Sequence, residues 1–319
     1  MSNPRPADPL VSIVVPVLDE QGCVAELARR VDEAMSAEGV RHELLFVDDG
    51  SRDDTPLAIA ALQRQDPTIR VIRFTRCFGH QAALTAGLRH ARGDAVITMD
   101  GDLQHPPEAL PRLLAAWLAG ADVVHTARQL PPGARRSWKE RTGRRFYRLM
   151  NSVSRVPVIA SGADFRLLDR RVVEAFNDLE EHFVFVRGLV PWLGFAETVI
   201  EYEVGQRFAG RSKYRLTPML RLALDGIFAF SVIPLRLITL LGLATTFIGV
   251  AYGIYWLFGF LTGRITEAGW TSVVGLLLMF GGVQLLSIGV LSEYVGRVYE
   301  EVKRRPRYVI DYMRGSDES

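Results

Sequence analysis

Asp100 and Asp102 stand one glycine apart at the end of an apolar run, Ala95-Val96-Ile97-Thr98-Met99. Two carboxylates at that spacing, where a buried strand runs out, can share a divalent cation whose other ligands are phosphate oxygens. The chemistry this predicts is that of an enzyme using a sugar nucleotide. Alone, an Asp-Gly-Asp triplet is as readily a strand-to-turn junction, because both residue types are common in turns. Here two further runs end in the same way. Val14-Val15-Pro16-Val17-Leu18 leads into Asp19-Glu20, and Leu44 to Val47 leads into Asp48-Asp49-Gly50-Ser51. Polar residues at the carboxyl ends of three successive strands describe a ligand crevice in an open α/β sheet.

The elements that must position these groups are visible as periodicity. Strand-like runs at 11–17, 43–48, 69–74, 94–99 and 122–126 alternate with helical spacing, as in Val24-Leu27-Ala28-Val31 and Ala82-Ala83-Ala86-Gly87-His90. This βαβ rhythm predicts a mostly parallel sheet. Pro106-Pro107 predicts a helix start after the acidic loop, with Leu110, Leu113, Leu114 and Trp117 as its packing face. There is no internal repeat, and Arg314 to Ser319 is expected to be a disordered end.

With 319 residues and 48% hydrophobic content, the chain has room for a substantial globular domain and something more. Cys23 and Cys77 form no metal-binding spacing and are expected to be free thiols. A net charge of +2 gives no case for a nucleic-acid partner, and the polar, proline-rich start from Met1 to Pro9 has no secretory signal pattern. Composition changes near residue 235: neither 237–261 nor 270–292 contains a charged residue. At about 1.5 Å per residue each run can cross a hydrocarbon core of roughly 30 Å, which predicts two transmembrane helices in an antiparallel hairpin. Glycines such as Gly242, Gly249, Gly281 and Gly289 would let them approach closely. Basic residues precede the first run and follow the second, whereas the connection sets Arg264 against Glu267, so both termini are expected in the cytoplasm. Trp138 to Val153 and Leu216 to Pro234 mix arginines with apolar residues and are expected to be interfacial amphipathic helices. The division that follows is a catalytic domain over 1–214, a juxtamembrane helix over 215–234, the hairpin over 235–296 and a cytoplasmic tail over 297–319.

Five ordered motifs carry a family resemblance. Pro16-Val17-Leu18-Asp19-Glu20, Val47-Asp48-Asp49-Gly50-Ser51, Asp100-Gly101-Asp102-Leu103-Gln104, Ala163-Asp164-Phe165-Arg166-Leu167 and Arg207-Phe208-Ala209-Gly210-Arg211-Ser212-Lys213-Tyr214 resemble those of the polyprenyl-phosphate glycosyltransferases. These inverting family 2 enzymes have a GT-A fold, a Rossmann-like α/β domain. They include dolichyl-phosphate mannose synthases and bactoprenol glucosyltransferases, and the two-span carboxyl-terminal hairpin looks most like the latter.

The resemblance implies a nucleotide-sugar donor, with UDP preferred, a polyprenyl phosphate acceptor such as undecaprenyl phosphate, and Mg²⁺ or Mn²⁺ held by Asp100, Asp102 and the amide oxygen of Gln104. It implies a nucleoside pocket of Pro16, Leu18, Glu20, Val47, Asp48 and Asp49, with Asp100 beside it and one of the two adjacent aspartates serving only as a turn cap. Arg128, Arg141, Arg145, Arg207, Arg211, Ser212 and Lys213 are the implied phosphate contacts, with Arg207 and Lys213 also counted with Asp102 among the catalytic residues. Asp164 is implied near the donor sugar and acceptor, either orienting a hydroxyl or acting as base. A salt bridge to Arg166 or a neighbouring arginine is the plainer alternative for it. A membrane location in the inner membrane and a homo-oligomer, a tetramer among the options, complete the expectation.

The chemistry is consistent with that set. A phosphate monoester has a second pKa near about 6, so a lipid phosphate is already an anionic nucleophile at neutral pH and needs cations more than a base. Two departures stand out. Cys77 occupies a position where relatives usually carry Asn, so a side-chain hydrogen bond is expected to be missing, and His80 reads as a solvent-facing residue at a helix start. No Gln-x-x-Arg-Trp sequence occurs, which argues against the processive polysaccharide synthases. A diacylglycerol or ceramide glycosyltransferase of the same fold is the nearer rival, and a non-catalytic binder of lipid-linked sugars the more distant one.

Overall fold

The computed structural model describes residues 5–129, 162–179, 181, 186–203, 233–262 and 269–315. The segments expected as interfacial helices, 138–153 and 216–234, lie outside the described residues, apart from residues 233 and 234. The chain divides into two units, one formed by Met1–Arg215 with Arg305–Ser319 and the other by Leu216–Arg304.

In the first unit, β1 (Leu10–Val17), β2 (Arg41–Asp48), β3 (Ile69–Phe74) and β4 (Ala95–Thr98) alternate with α1 (Val24–Ser36), α2 (Thr55–Gln63) and α3 (His80–His90). The last seven residues of β1 are all buried, as a central parallel strand covered on both faces requires. Val24, Leu27, Ala28, Val31 and Met35 form the buried stripe of α1 at helical spacing. A single 3₁₀ turn (Pro107–Ala109) leads into α4 (Leu110–Leu118), whose Leu110, Leu113, Leu114 and Trp117 are buried as expected.

Strand order is β7-β5-β6-β4-β1-β2-β3-β8. Parallel pairs join β4, β1, β2 and β3, and because β1 pairs β2 on one side and β4 on the other, sheet growth reverses there. A crevice opens at the carboxyl ends of strands at such a switch point. What periodicity did not reveal is that β6 (Gly162–Asp169) is antiparallel to both neighbours, β4 and β5 (Val123–Gln129). Beyond β6 come α5 (Arg170–Asn177), α6 (Val186–Trp192) and β7 (Glu197–Glu203), which is parallel to β5. Asp169 anchors the far end of β6: it accepts from Arg171 N at 3.0 Å, capping α5, from Trp117 Nε1 at 2.8 Å, and from Arg5.

The second unit contains α7 (Ile233–Leu261) and α8 (Trp270–Val302). Leu235–Tyr255 and Met279–Val302 have mean hydropathies of 1.9 and 1.2 and are almost wholly unburied. A core helix of a soluble protein would be buried, so these helices suit a lipid surround. A Cβ on Gly249 would lie 3.1 Å from Phe280 Cζ, so there the two helices do approach closely. Glu293 and Arg297, four residues apart on α8, form an ion pair at 3.0 Å.

Within the expected tail over 297–319 there is regular structure, and Arg314, expected to begin a disordered end, closes a strand; residues 316–319 lie outside the described residues. α8 continues to Val302, and β8 (Ile310–Arg314) pairs antiparallel with β3, Arg314 opposite Val71 and Ile310 opposite Phe74. With only Ile310 and Tyr312 turned partly inward, this short edge strand carries too little periodicity to be read from sequence.

Gly87 tests the packing of α3 on the sheet, because a Cβ there would meet Val14 Cγ1 at 2.1 Å. In an open helix Gly→Ala gains about 1 kcal/mol, but overpacking costs about 1–3 kcal/mol. Overpacking wins: Gly87→Ala lowers the apparent melting temperature of the detergent-purified protein, and an unchanged or higher value would contradict this packing.

Candidate active site

The switch point brings the carboxyl ends of β1 and β4 into contact. Met99 N donates to Val14 O at 3.1 Å, and a Cβ on Gly101 would lie 2.9 Å from Val17 Cγ1 and 3.3 Å from Pro16 O. Only glycine lets the acidic turn come this close to β1, a constraint of packing rather than dihedral angle. Leu103 takes a left-handed φ of 60° and closes the turn with its side chain buried. Asp100 N donates to His105 Nδ1 at 3.0 Å, while Gln104 donates to Asp102 from its backbone N at 3.1 Å and from Nε2 at 2.5 Å. Gln104 turns its amide nitrogen to Asp102 and braces that carboxylate, a contact that does not use the amide oxygen expected to meet a metal.

Across the crevice, β1 and β2 hold the second acidic pair. Asp49 N donates to Val17 O at 3.0 Å, and the two aspartates then diverge. Asp49 accepts from Phe78 N at 2.6 Å, from Gly79 N at 2.9 Å and from Cys77 Sγ at 3.1 Å, so it caps the loop that begins α3. Cys77 therefore keeps a side-chain hydrogen bond, contrary to expectation. Asp48 is fully buried; Oδ1 accepts from Ser51 N at 2.8 Å, whereas Oδ2 has no hydrogen bond and faces Arg73 Nε at 3.6 Å. Gly50, at φ 75°, lies so near the backbone that a Cβ would meet Arg76 C at 2.6 Å. On the β1 side, Asp19 N donates to Ser51 Oγ at 3.0 Å and Glu20 N to Thr55 Oγ1 at 2.9 Å, leaving Leu18 38% exposed. Burial, with the Glu20 carboxylate nearby, pushes the Cys23 thiol up to about 11, so this free cysteine is an inert packing residue.

Asp164 arrives on the antiparallel strand. In the β4–β6 register Thr98 lies opposite Arg166, so two residues further on Asp164 lies opposite Asp100. Thr98 Oγ1 fixes the approach by donating to Asp164 O at 2.5 Å. The carboxylate is buried and fully engaged: Arg187 donates from Nε at 2.8 Å and from Nη2 at 2.7 Å, and Arg166 Nη2 from 3.2 Å. His80 Nε2 stands 3.3 Å from Asp164 Oδ2 and 3.5 Å from Asp100 Oδ1. Burial alone would raise the Asp164 pKa, but the His80 and Arg187 hydrogen bonds and the two guanidinium charges outweigh it. The carboxyl is held well below its usual range. Partial burial would lower the His80 pKa; the bond to Asp164 and the charges of Asp100 and Asp164 carry it above its usual value instead.

His80 is exposed at the start of α3, as expected, and also bridges the two acidic groups; Arg187 is a site residue that sequence reasoning missed. The clue to His80 was its place just after the glycine that starts α3; Arg187, between unremarkable apolar residues, gave none. Pro16, Val47, Asp48, Asp49, Asp100, Asp102, Gln104 and Asp164 all belong to this crevice or its walls. Arg128 lies on β5, with only its backbone described, and Arg141, Arg145, Arg207, Arg211, Ser212 and Lys213 lie outside the described residues. Among the described residues no three His, Cys, Asp or Glu side chains gather as a metal site. Two carboxylates and few other protein donors suit a hard cation such as Mg²⁺ or Mn²⁺ that completes its shell with phosphate and water.

Residues 12–176 match the glycosyl transferase family 2 model, and residues 233–298 match the GtrB C-terminal hairpin. The chain is 41% identical over 300 residues to the SfII prophage-derived bactoprenol glucosyl transferase of Shigella flexneri, covering 94% of this chain and 97% of that protein. It is 40% identical over 304 residues to the uncharacterized glycosyltransferase YkcC of Bacillus subtilis, covering 95% and 94% of the two chains. Among solved structures, glucosyl-3-phosphoglycerate synthase of Mycobacterium tuberculosis, in complex with Mn²⁺, UDP and phosphoglyceric acid, aligns with a TM-score of 0.49 at 20% identity, over 70% of this chain and 78% of that one. With a GT-A type sheet, its acidic crevice and an apolar two-helix hairpin, the chain belongs to glycosyl transferase family 2.

Proposed function

We propose that this glycosyltransferase moves one sugar, with inversion, from a nucleotide-sugar donor, a UDP-sugar by preference, to polyprenyl phosphate at the cytoplasmic face of the inner membrane. The observation that carries the proposal is the state of Asp164. A carboxylate bound by two guanidinium groups and an imidazole is a poor proton acceptor, so the site is built for an acceptor that needs no base. A lipid phosphate is such an acceptor. The relatives named bactoprenol glucosyl transferase support the same choice.

One acceptor phosphate oxygen forms a bond to the anomeric carbon as the bond from that carbon to the donor β-phosphate oxygen breaks. The electron pair leaves with the nucleoside diphosphate, and a single displacement inverts the carbon. Asp100 and Asp102, the latter braced by Gln104, would hold Mg²⁺ or Mn²⁺. That ion, when bound, supplies positive charge against the leaving diphosphate. Asp48 Oδ2, buried without a hydrogen bond, is suited to accept from a base imide, and Glu20 from ribose hydroxyls. Asp164 orients the reacting groups and keeps its charge, with Arg187 and His80 as its positioning residues. Arg128, Arg141, Arg145, Arg207, Arg211, Ser212 and Lys213 remain the proposed phosphate contacts.

The direct test is turnover of the purified protein with undecaprenyl phosphate and a panel of UDP- and GDP-sugars. EDTA abolishes transfer, Mg²⁺ or Mn²⁺ restores it, and Asp102→Asn lowers kcat/KM by about a hundredfold or more; chelator-resistant turnover would remove the metal from the proposal.

The pH profile separates the acceptor classes. The acid limb of kcat/KM for the acceptor falls near about pH 6, where the lipid phosphate gains its proton, and Asp164→Asn leaves that limb in place while lowering the plateau. The depressed Asp164 pKa means its ion pairs stabilise the fold at neutral pH and are lost only as pH falls below the ordinary carboxylate range. A limb that disappears in the Asn variant would mark a base and a hydroxyl acceptor.

Arg187→Lys keeps the charge but loses the two-pronged contact with Asp164, and turnover is expected to fall about tenfold or more. Wild-type rates in that variant would show that the bidentate geometry does not matter.

A further inference from the structure

The segment that follows α8 packs against the loop that carries the donor side of the crevice. Tyr308 stacks on Phe74, the last residue of β3, with ring centroids 5.0 Å apart and planes 11° from parallel. Phe74 in turn meets Phe78 edge-on at 5.7 Å. Beside this ladder Thr75 N donates to Val309 O at 3.1 Å, and the Arg76 guanidinium covers the outer face of Phe78 at 4.0 Å. Phe78 N and Gly79 N are the donors to Asp49, and His80 follows directly. On the same strand Arg73 reaches Ser51 O at 3.3 Å and faces Asp48. One aromatic residue from the carboxyl-terminal segment therefore sits at the base of a chain of contacts ending at both aspartates of the second acidic pair.

We propose that Tyr308 is a positioning residue for the nucleotide pocket: through Phe74 and Phe78 it fixes the 75–79 loop that holds Asp49. The inference rests on the reading of this crevice as the donor site. Tyr308 touches no substrate; its effect passes through the two phenylalanines, so it governs donor affinity and leaves the chemical step alone. Its ring, not its hydroxyl, makes the contact, and phenylalanine can replace it.

The test uses the full-length protein in detergent. Donor and acceptor kinetics are measured together with hydrogen exchange of the peptide spanning 75–79, for wild type, Tyr308→Ala, Tyr308→Phe and Met313→Ala. Met313, opposite Ile72 on β8 with its side chain outward, reports on the strand without the ladder. Tyr308→Ala is expected to raise the donor KM about five- to tenfold with kcat within about twofold, and to speed exchange at 75–79. Tyr308→Phe and Met313→Ala should match wild type. The inference is overturned if Tyr308→Ala leaves the exchange unchanged, if kcat falls in place of a rise in donor KM, or if Met313→Ala reproduces its effect. If the alanine variant does not fold, Tyr308→Leu, bulky but without a ring, takes its place. A wild-type protein that turns over no nucleotide sugar would refute the proposed function, and the exchange result alone would then decide the Tyr308 contact.

Discussion

The ion cluster around Asp164 is the interaction on which the catalytic unit depends. A lone carboxylate buried there would cost several kcal/mol, and so would the fully buried Arg166 without its partner. Neither is tolerable alone. Together with Arg187 and His80 they tie three separate elements, β6, α6 and the start of α3, to one point beside Asp100. Pairs of this kind contribute little net stability against an apolar replacement. What they fix is geometry, because each of the three elements must be in place for the charges to be compensated. The chemistry of the site and the assembly of its walls are thereby the same problem.

Around that point the fold gives up side chains so that backbone can come close. Gly101 meets β1, Gly50 meets the Arg76 backbone, and Gly93 stands where a Cβ would touch Ser12 N at 2.5 Å. The first two bring acidic turns against neighbouring strands at the carboxyl edge of the sheet. The third lies at the opposite edge, beside a buried network in which Glu43 accepts from Ser12, Arg70 and the Arg92 backbone. Glu43 thus gathers three donors at one end of the sheet, whereas at the other end Asp48 Oδ2 has no hydrogen bond and faces Arg73 at 3.6 Å. On the proposed function, that buried oxygen is the one left to meet the nucleoside.

The central four strands and their helices were legible in the sequence because each repeats an apolar period over enough residues to be unambiguous. Leu110, Leu113, Leu114 and Trp117 define their helix in the same way. The acidic pairs were legible because they fall where those periods stop. Arg187 was not, since its role arises from a contact across 23 residues of chain that no local pattern encodes. The antiparallel direction of β6 was hidden for a related reason: an apolar run specifies burial but not direction, and direction decides whether Asp164 or Asp169 reaches the crevice. The division of labour between Asp48 and Asp49 needed coordinates, because only the position of the 77–79 backbone shows which of them is already occupied.

The strand β8 gives the chain a particular order of construction. The unit containing α7 and α8 is inserted within the catalytic unit, so the outer edge of β3 has no partner until residues 310–314 have been synthesised. By then both apolar helices have been synthesised. The sheet is thus completed only after both apolar helices have been made, and a chain that stops between α8 and β8 carries an open strand edge of the sort that nucleates aggregation.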